Sequence, residues 1–340
     1  LEKFNIKVFG PNKIASQLEG SKIFTKKLCE EYNIPTAKFG ILKNKIDAKK
    51  FLENSKYPNV IKADNLASGK GVYICNNEEE SSMAIEEIFN GKFGVAKNIL
   101  IEEFLEGEEM SYFIISDGKT IKSFDTAQDH KRVLEGDKGK NTGGMGAYSP
   151  SRLINNQLEE KILKKIIQPT LLGLSKLGTN YKGFLYAGLM IVKDEPYLIE
   201  YNVRMGDPET EAIFPRLKTD MLELLQGIGK RDISNVDFAL DERTAATVFL
   251  VSEGYPGAIV KGREIIGLEN ISESTFIFHA GTALNNGKVV TNGGRVIAVT
   301  SLAENMELAI SKSMLKSEEI DFNGKFYRKD IGQDLLSWNK

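Results

Sequence analysis

The chain has 340 residues, and its 45 basic against 47 acidic side chains leave a formal net charge of -2, so nothing global argues for binding to nucleic acid or to an anionic membrane. The composition, 41% hydrophobic and 27% charged, is that of a globular protein, and no apolar run approaches the ~20 residues of a membrane helix. Two histidines and two cysteines, with Cys29 and Cys75 in no metal-ligand spacing, argue against a zinc centre; with no secretory signal they predict a reducing cytoplasm.

At about 100–200 residues per domain, two or three domains are expected. The chain opens on Leu1, and residues 4–9 alternate up to Gly10-Pro11. They read as the last strand of a sheet whose earlier strands are missing, and the chain as a fragment or processed product. Ser21 is placed to cap a helix over 22–32, with Phe24, Leu28 and Tyr32 on one face and Pro35 after its end. Lys22 stands at that helix's start, where a solvated lysine is the plain alternative. Residues 57–63 predict a short strand with Lys62 near its exit. A small-residue loop follows, including Ser68, Gly69, Lys70 and Gly71, and then a strand to Cys75. Backbone N–H groups of such a loop can lie against phosphates, with Lys62 and Lys70 bringing charge. The spacing is not that of a Walker A loop. A helix over 78–89 follows.

Residues 99–105 predict an apolar strand carrying Glu102, Glu103, Phe104 and Leu105 at its end, before a hairpin with strands at 110–115 and 120–124 around Ser116-Asp117-Gly118. Main-chain groups at Glu103 and Leu105 could read an adenine and Glu109 could accept from ribose hydroxyls; an acidic hairpin rim is the other reading. The dense polar run Gln128-Asp129-His130-Lys131-Arg132 precedes Asn141-Thr-Gly143-Gly-Met-Gly146, a glycine loop of the mobile kind found near ligands. A helix over 158–177 should kink at Pro169. Residues 183–192 and 197–204 predict an antiparallel pair. Helices over 209–217 and from Asp220 to about 227 come next, then a connecting segment over 230–243. Strands at 244–251, 276–279, 288–290 and 295–300 follow, and Ser301 and Glu304 form a capping box for a last helix to about 316.

In Tyr197-Leu-Ile-Glu200-Tyr-Asn202-Val-Arg204-Met-Gly-Asp207-Pro, strand alternation puts Glu200, Asn202 and Arg204 on one face. A carboxylate and an amide oxygen two residues apart are hard ligands of the kind Mg²⁺ takes, and the guanidinium beyond them can hold a phosphoryl oxygen in a fork. Taken alone, the stretch reads equally as an edge strand with a solvated polar face.

The order of these pieces is more specific than any of them. A lysine at a helix start, a strand lysine, a Gly-Lys-Gly loop, a strand ending in acids and then Glu-x-Asn-x-Arg is the running order of the ATP-grasp ligases. The chain resembles the phosphoribosylamine–glycine ligase (glycinamide ribonucleotide synthetase) family of that superfamily over nearly all its length. Asn141-Thr-Gly-Gly-Met-Gly-Ala-Tyr-Ser-Pro150, Met205-Gly-Asp-Pro-Glu-Thr210 and Thr291-Asn-Gly-Gly-Arg295 are among the stretches that carry the resemblance. It implies an α+β ATP-grasp fold, two α+β subdomains sandwiching ATP, followed by a small C-terminal α+β domain. The expected divisions are a remnant of an N-terminal α/β domain over 1–15, the ATP-grasp domain over 16–230 with a mobile lid over about 36–104, and the C-terminal domain over 241–335. The reaction implied joins glycine to 5-phosphoribosylamine in purine biosynthesis, through glycyl phosphate, giving ADP and phosphate. Another carboxylate–amine ligase of the superfamily, or a nucleotide-binding fragment without turnover, are the rival readings.

Carried onto this sequence, the resemblance assigns Lys62 and Arg204 to catalysis and Glu200 and Asn202 to Mg²⁺ (or Mn²⁺). It assigns Lys22, Lys62, Ser68, Gly69, Lys70, Gly71, Glu102, Glu103, Phe104, Leu105 and Glu109 to ATP, and Asp129, Lys131, Asn141, Gly143, Arg204 and Asp207 to glycine and phosphoribosylamine. It implies a cytoplasmic monomer. The departures are small: Asn65 and Ser68 stand where the loop usually has Gly and Ala or Ser, and Glu211 replaces a common Gln, while Gly188, usual for this branch, stands where many ATP-grasp enzymes have a further metal carboxylate.

Overall fold

A computed structural model of the chain describes residues 1–64, 71–230, 232–269 and 272–333. The helices are α1 (Gln17–Gly20), α2 (Lys22–Glu31), α3 (Lys45–Leu52), α4 (Glu78–Phe89), α5 (Asn156–Ile162), α6 (Gln168–Lys176), α7 (Glu209–Ile213), α8 (Met221–Lys230) and α9 (Met306–Glu319). The strands are β1 (Phe39–Leu42), β2 (Asn59–Ala63), β3 (Val72–Cys75), β4 (Ile99–Glu103), β5 (Glu108–Asp117), β6 (Ile121–Asp129), β7 (Arg132–Leu134) and β8 (Lys138–Asn141), then β9 (Gly146–Ser149), β10 (Lys182–Val192), β11 (Glu195–Asn202), β12 (Thr244–Val251), β13 (Thr275–His279), β14 (Thr282–Asn285), β15 (Lys288–Thr291) and β16 (Arg295–Ala303). None of the described helices is long and apolar enough to cross a membrane. The chain forms two compact units that alternate along the sequence.

The first unit comprises Leu1–Phe124, Ile154–Arg204 and Leu225–Ser234. One of its sheets has the order β1-β4-β2-β3. Its core joins Ile61, Ile99 and Ile101 of the sheet to Ala84, Ile85 and Ile88 on one face of α4, with Ala48 and Leu52 of α3. Asn44 and Asn77 cap these helices, their side chains accepting from Asp47 and Glu80 N–H groups three residues on. In the unit's other sheet β10 lies between β11 and β5, pairing with β5 over ten residues, Lys182↔Asp117 to Ile191↔Glu108. The β10–β11 ladder, Tyr186↔Asn202 to Val192↔Glu195, skips Ile199. That bulge breaks the alternation: Leu198 and Tyr201 are both buried, while Glu200 and Asn202 stay part-exposed.

The chain passes to the second unit within β6. That unit comprises Asp125–Leu153, Met205–Leu224 and Asn235–Lys340. Asp129 and Gln128 pair with Ala147 and Tyr148 of β9, and the order continues β9-β12-β16-β13. Met306, Ala309 and Ile310 of α9 cover Ala246 and Tyr148 of this sheet.

Several expectations change. Residues 4–9 form no strand: Glu2–Phe4 is a 3-10 turn and Phe4 is 81% exposed. Alternation without a neighbouring ladder to satisfy the backbone does not hold a strand. The capping box at Ser301 is displaced, because β16 runs on to Ala303 and buries Ser301 against Thr275; Asn305 caps α9 instead, accepting from Leu308 N–H. The helix expected over 158–177 is interrupted just before Pro169. It widens into a π turn over Leu163–Ile167, where Gln168 N–H donates to Leu163 carbonyl, five residues back. Pro169 then sits in the first turn of α6. The caps at Ser21 and Asp220 hold as expected, accepting from Phe24 N–H and from the Leu222 and Glu223 N–H groups.

Candidate active site

In the first unit, β2 and β4 pair with Val60 opposite Glu102, so Lys62 and Glu102 are diagonal neighbours on one sheet face. Lys62 Nζ lies 3.0 Å from Glu102 Oε2, and both side chains are nearly fully buried. The other carboxylate oxygen, Oε1, lies 3.3 Å from the buried ammonium of Lys26 on α2. Two residues past Lys62, Asp64 accepts from Ile23 N–H at 3.0 Å and from the Ser21 hydroxyl at 3.1 Å. The exit of β2 is thereby pinned to the N-terminus of α2, where a carboxylate also meets the helix dipole. Burial pushes the Lys22 ammonium below its ordinary range. Glu200 is the strongest influence opposing that shift, Lys62 reinforces it, and Asp64 and Glu102 oppose it. Lys62, Glu102 and Glu200 thus all lie within electrostatic reach of Lys22.

Glu200 and Asn202 flank Tyr201, whose buried hydroxyl is 2.6 Å from that of Thr170 on α6. A rigid aromatic therefore fixes the strand between the two polar residues. Among the described residues no group of three or more His, Cys, Asp or Glu side chains is gathered for a metal. The donor set at Glu200 and Asn202 is two protein oxygens, which fits a hard cation that completes its shell with water and phosphate. Gly188 lies opposite Glu200 in the ladder, where a Cβ would stand 3.3 Å from the Tyr186 hydroxyl and 3.4 Å from Glu200 Cγ. A Cβ at 188 would be tight against the Tyr186 hydroxyl and in ordinary contact with Glu200. Arg204 is exposed and held by Glu19 of α1: its Nε and Nη2 both lie 3.1 Å from Glu19 Oε1, and Oε2 accepts from Val203 N–H at 2.9 Å.

The remaining first-unit candidates are spread along β4 and β5. Glu103 N–H donates to Lys38 carbonyl, and its carboxylate accepts from Lys38 N–H, both at 2.9 Å. Phe104 and Glu109 are exposed and Leu105 is half-buried. Gly71 carbonyl accepts from Ala63 N–H. Ser68, Gly69 and Lys70 lie outside the described residues.

In the second unit Arg295, at the start of β16, is the organiser. Its Nη2 lies 2.7 Å from Asp207 Oδ2, its Nη1 donates to Gly143 carbonyl at 2.6 Å, and its guanidinium stacks 4.7 Å from the centre of the Phe249 ring. Gly143 N–H in turn donates to the Tyr255 hydroxyl. Gly144 has φ +112°, and a Cβ there would meet Pro208 at 2.3 Å and Asp129 Oδ1 at 2.8 Å, so only glycine lets these chains approach. Asp129, Gly143 and Asp207 are therefore brought together. Lys131 joins through its backbone, its carbonyl accepting from Thr142 N–H and hydroxyl, while Asn141 is exposed at the end of β8.

Glu211 lies close to this cluster. Burial, with Asp207 adding to it, pushes its carboxyl from an ordinary 4.5 up to about 7, and its Oε2 has no hydrogen-bond partner among the described residues. Between pH 4.5 and 7 the folded state holds the proton that the unfolded state has released, so stability falls across that window and levels above it. We expect Glu211→Gln to remove this slope, gaining roughly 1–3 kcal/mol relative to the parent on going from pH 5 to pH 8. Denaturant unfolding at both pH values checks it; parallel pH dependence of parent and variant would refute it.

Sequence reasoning passed over Lys26, Glu19 and the role of Arg295. Arg295 carried a signal, since it ends the Asn-Gly-Gly-Arg stretch. Glu19 lies in Gln17-Leu-Glu-Gly-Ser-Lys22, another stretch that resembles the family, whereas Lys26 carried no signal because it looks like an ordinary polar residue on a helix.

The model of the phosphoribosylglycinamide synthetase ATP-grasp (A) domain matches residues 20–210, and that of the C domain of the same synthetase matches residues 245–334. A phosphoribosylamine–glycine ligase of Agrobacterium fabrum is 45% identical over the whole chain, which spans 81% of that relative. The crystal structure of a phosphoribosylamine–glycine ligase from Thermotoga maritima superposes with a TM-score of 0.87 at 38% identity, over 95% of this chain and 81% of the other. The biotin carboxylase domain of a Hydrogenobacter thermophilus 2-oxoglutarate carboxylase shares the fold, with a TM-score of 0.75 at 17% identity, over 100% of this chain and 79% of the other.

Proposed function

The chain belongs to the phosphoribosylglycinamide synthetase family, and from that premise we propose how its residues carry out the ATP-dependent ligation of glycine to 5-phosphoribosylamine. A carboxylate is a poor acyl donor. In the proposed route a glycine carboxylate oxygen attacks the γ-phosphorus of ATP, the bond to the β-phosphate oxygen breaks, and ADP leaves with glycyl phosphate formed. The ribosyl amine then attacks the glycyl carbonyl, phosphate departs, and the amine loses a proton. Phosphoryl transfer of this kind needs positioning and charge neutralisation and no protein nucleophile.

Lys62 and Lys22 neutralise the phosphates, and the loop around Lys70 is assigned to the same task. Glu200 and Asn202 hold Mg²⁺ (or Mn²⁺), which when bound screens the phosphate charge. Arg204, already oriented by Glu19, takes an oxygen of the transferring group. Asp129, Lys131, Asn141, Gly143 and Asp207 orient glycine and the amine. The sheet of β1 to β4, with its own core, is the lid over about 36–104 that excludes water from the acyl phosphate. We further propose a cytoplasmic monomer. The observation that best supports the phosphoryl half is the electrostatic gathering of Lys22, Lys62 and Glu200 in one unit.

The test is ADP release with ATP and a divalent cation, varying glycine and freshly made phosphoribosylamine together and singly. ADP release that needs both substrates is expected. Release supported by another acid or amine, and not by these, would overturn the substrate assignment.

A further inference from the structure

Beyond the two lysines assigned to the phosphates, we propose that Lys26 is a positioning residue, which sets the place and effective charge of Lys62 by sharing Glu102 with it. This rests on the reading of Lys62 as a phosphate ligand. The two oxygens of Glu102 are divided, Oε2 to Lys62 at 3.0 Å and Oε1 to Lys26 at 3.3 Å. A carboxylate held from both sides cannot close both oxygens on one ammonium, so Lys62 keeps charge for a ligand. Lys26 is itself anchored. Its Nζ donates to Thr36 Oγ1 at 2.6 Å, and the Thr36 hydroxyl donates to Leu198 carbonyl at 2.6 Å. Thr36 also forms an isolated parallel bridge with Leu198, two residues before Glu200 on β11.

The chain of contacts Leu198, Thr36, Lys26, Glu102, Lys62 thus ties the strand that carries Glu200 and Asn202 to the strand that carries Lys62. A lysine with 3% exposure would be costly to bury for packing alone. Burial pushes its ammonium below the ordinary range, while Glu102 works against that shift and Lys62 adds to it. Its other surroundings are the Phe39 ring, 5.3 Å from Nζ, and Ala37 carbonyl.

The experiment measures ATP affinity calorimetrically on four variants: Lys26→Met, Glu102→Gln combined with Lys26→Met, Thr36→Val and Lys62→Met. Lys26→Met keeps the length and removes the charge, so Glu102 closes on Lys62 alone; ATP affinity is expected to fall about 10- to 30-fold, in the range of one charge-assisted contact. Adding Glu102→Gln releases Lys62 and should recover most of that loss, which a purely structural role for Lys26 would not allow. Thr36→Val, which keeps the shape and removes the hydroxyl, should weaken ATP about 3-fold in the same direction. ATP affinity unchanged in Lys26→Met and Thr36→Val, but lost in Lys62→Met, overturns the positioning role and leaves the phosphate reading standing. Unchanged affinity in Lys62→Met overturns the phosphate reading itself. A double variant weaker than Lys26→Met refutes the proposal.

Discussion

Glu200→Ala is expected to lower kcat for ligation by about 10³-fold or more, the scale of losing one preorganised electrostatic group at a transferring phosphoryl. β10, the strand paired beside Glu200, carries no carboxylate to replace it. The ladder partner of Glu200 is Gly188, and only Asn202 stands beside it as a second oxygen donor on β11. The loss reaches further than the metal. Glu200 is the strongest influence holding the proton on Lys22 against burial, so without it Lys22 gives up its charge at a lower pH. Folding should survive, since Glu200 is part-exposed and Tyr201 anchors the strand through Thr170. Steady-state kinetics over a range of divalent-metal concentrations reads the effect. A variant with near-parental kcat and an unchanged metal requirement would sink the metal assignment.

Lys62→Met should weaken ATP binding by roughly 30- to 150-fold, the equivalent of about 2–3 kcal/mol for a charge-assisted contact to phosphate. The structure makes this a two-sided experiment. Removing one partner of a buried ion pair ordinarily costs about 3–5 kcal/mol, because the other charge is left uncompensated. Here Glu102 keeps Lys26, so the stability loss should stay near 1–2 kcal/mol and the variant should fold. Titration with ATP gives the first quantity and denaturant unfolding the second. Parental ATP affinity in a folded variant would remove Lys62 from the site.

What could be read from the sequence is local in origin. Ser21 and Asp220 cap their helices because a cap needs only a side chain and the N–H groups two or three residues on. Glu200 and Asn202 fall on one face because two residues is one strand period, and the bulge at Ile199 lies just upstream of them. What was illegible depends on partners far along the chain. Glu102 reads as an acid at a strand end, but is a buried bridge to Lys62, 40 residues away, and to Lys26. Asp207 reads as a loop acid, and its partner Arg295 is 88 residues on. The strand expected at residues 4–9 failed for the same reason in reverse: the pattern was present and the neighbouring ladder was not.

The fork between Glu19 and Arg204 bears on entropy. A free arginine side chain carries about 2 kcal/mol of rotamer entropy, which is normally surrendered when it grips an anion. Arg204 is exposed, yet Glu19 already confines it through Nε and Nη2 and fastens the adjoining Val203 N–H with the same carboxylate. Much of its ordering is therefore complete once the unit has folded. An anion arriving at the rest of the guanidinium meets a group with little freedom left to lose, and up to about 30-fold in affinity is retained that a loose arginine would give away.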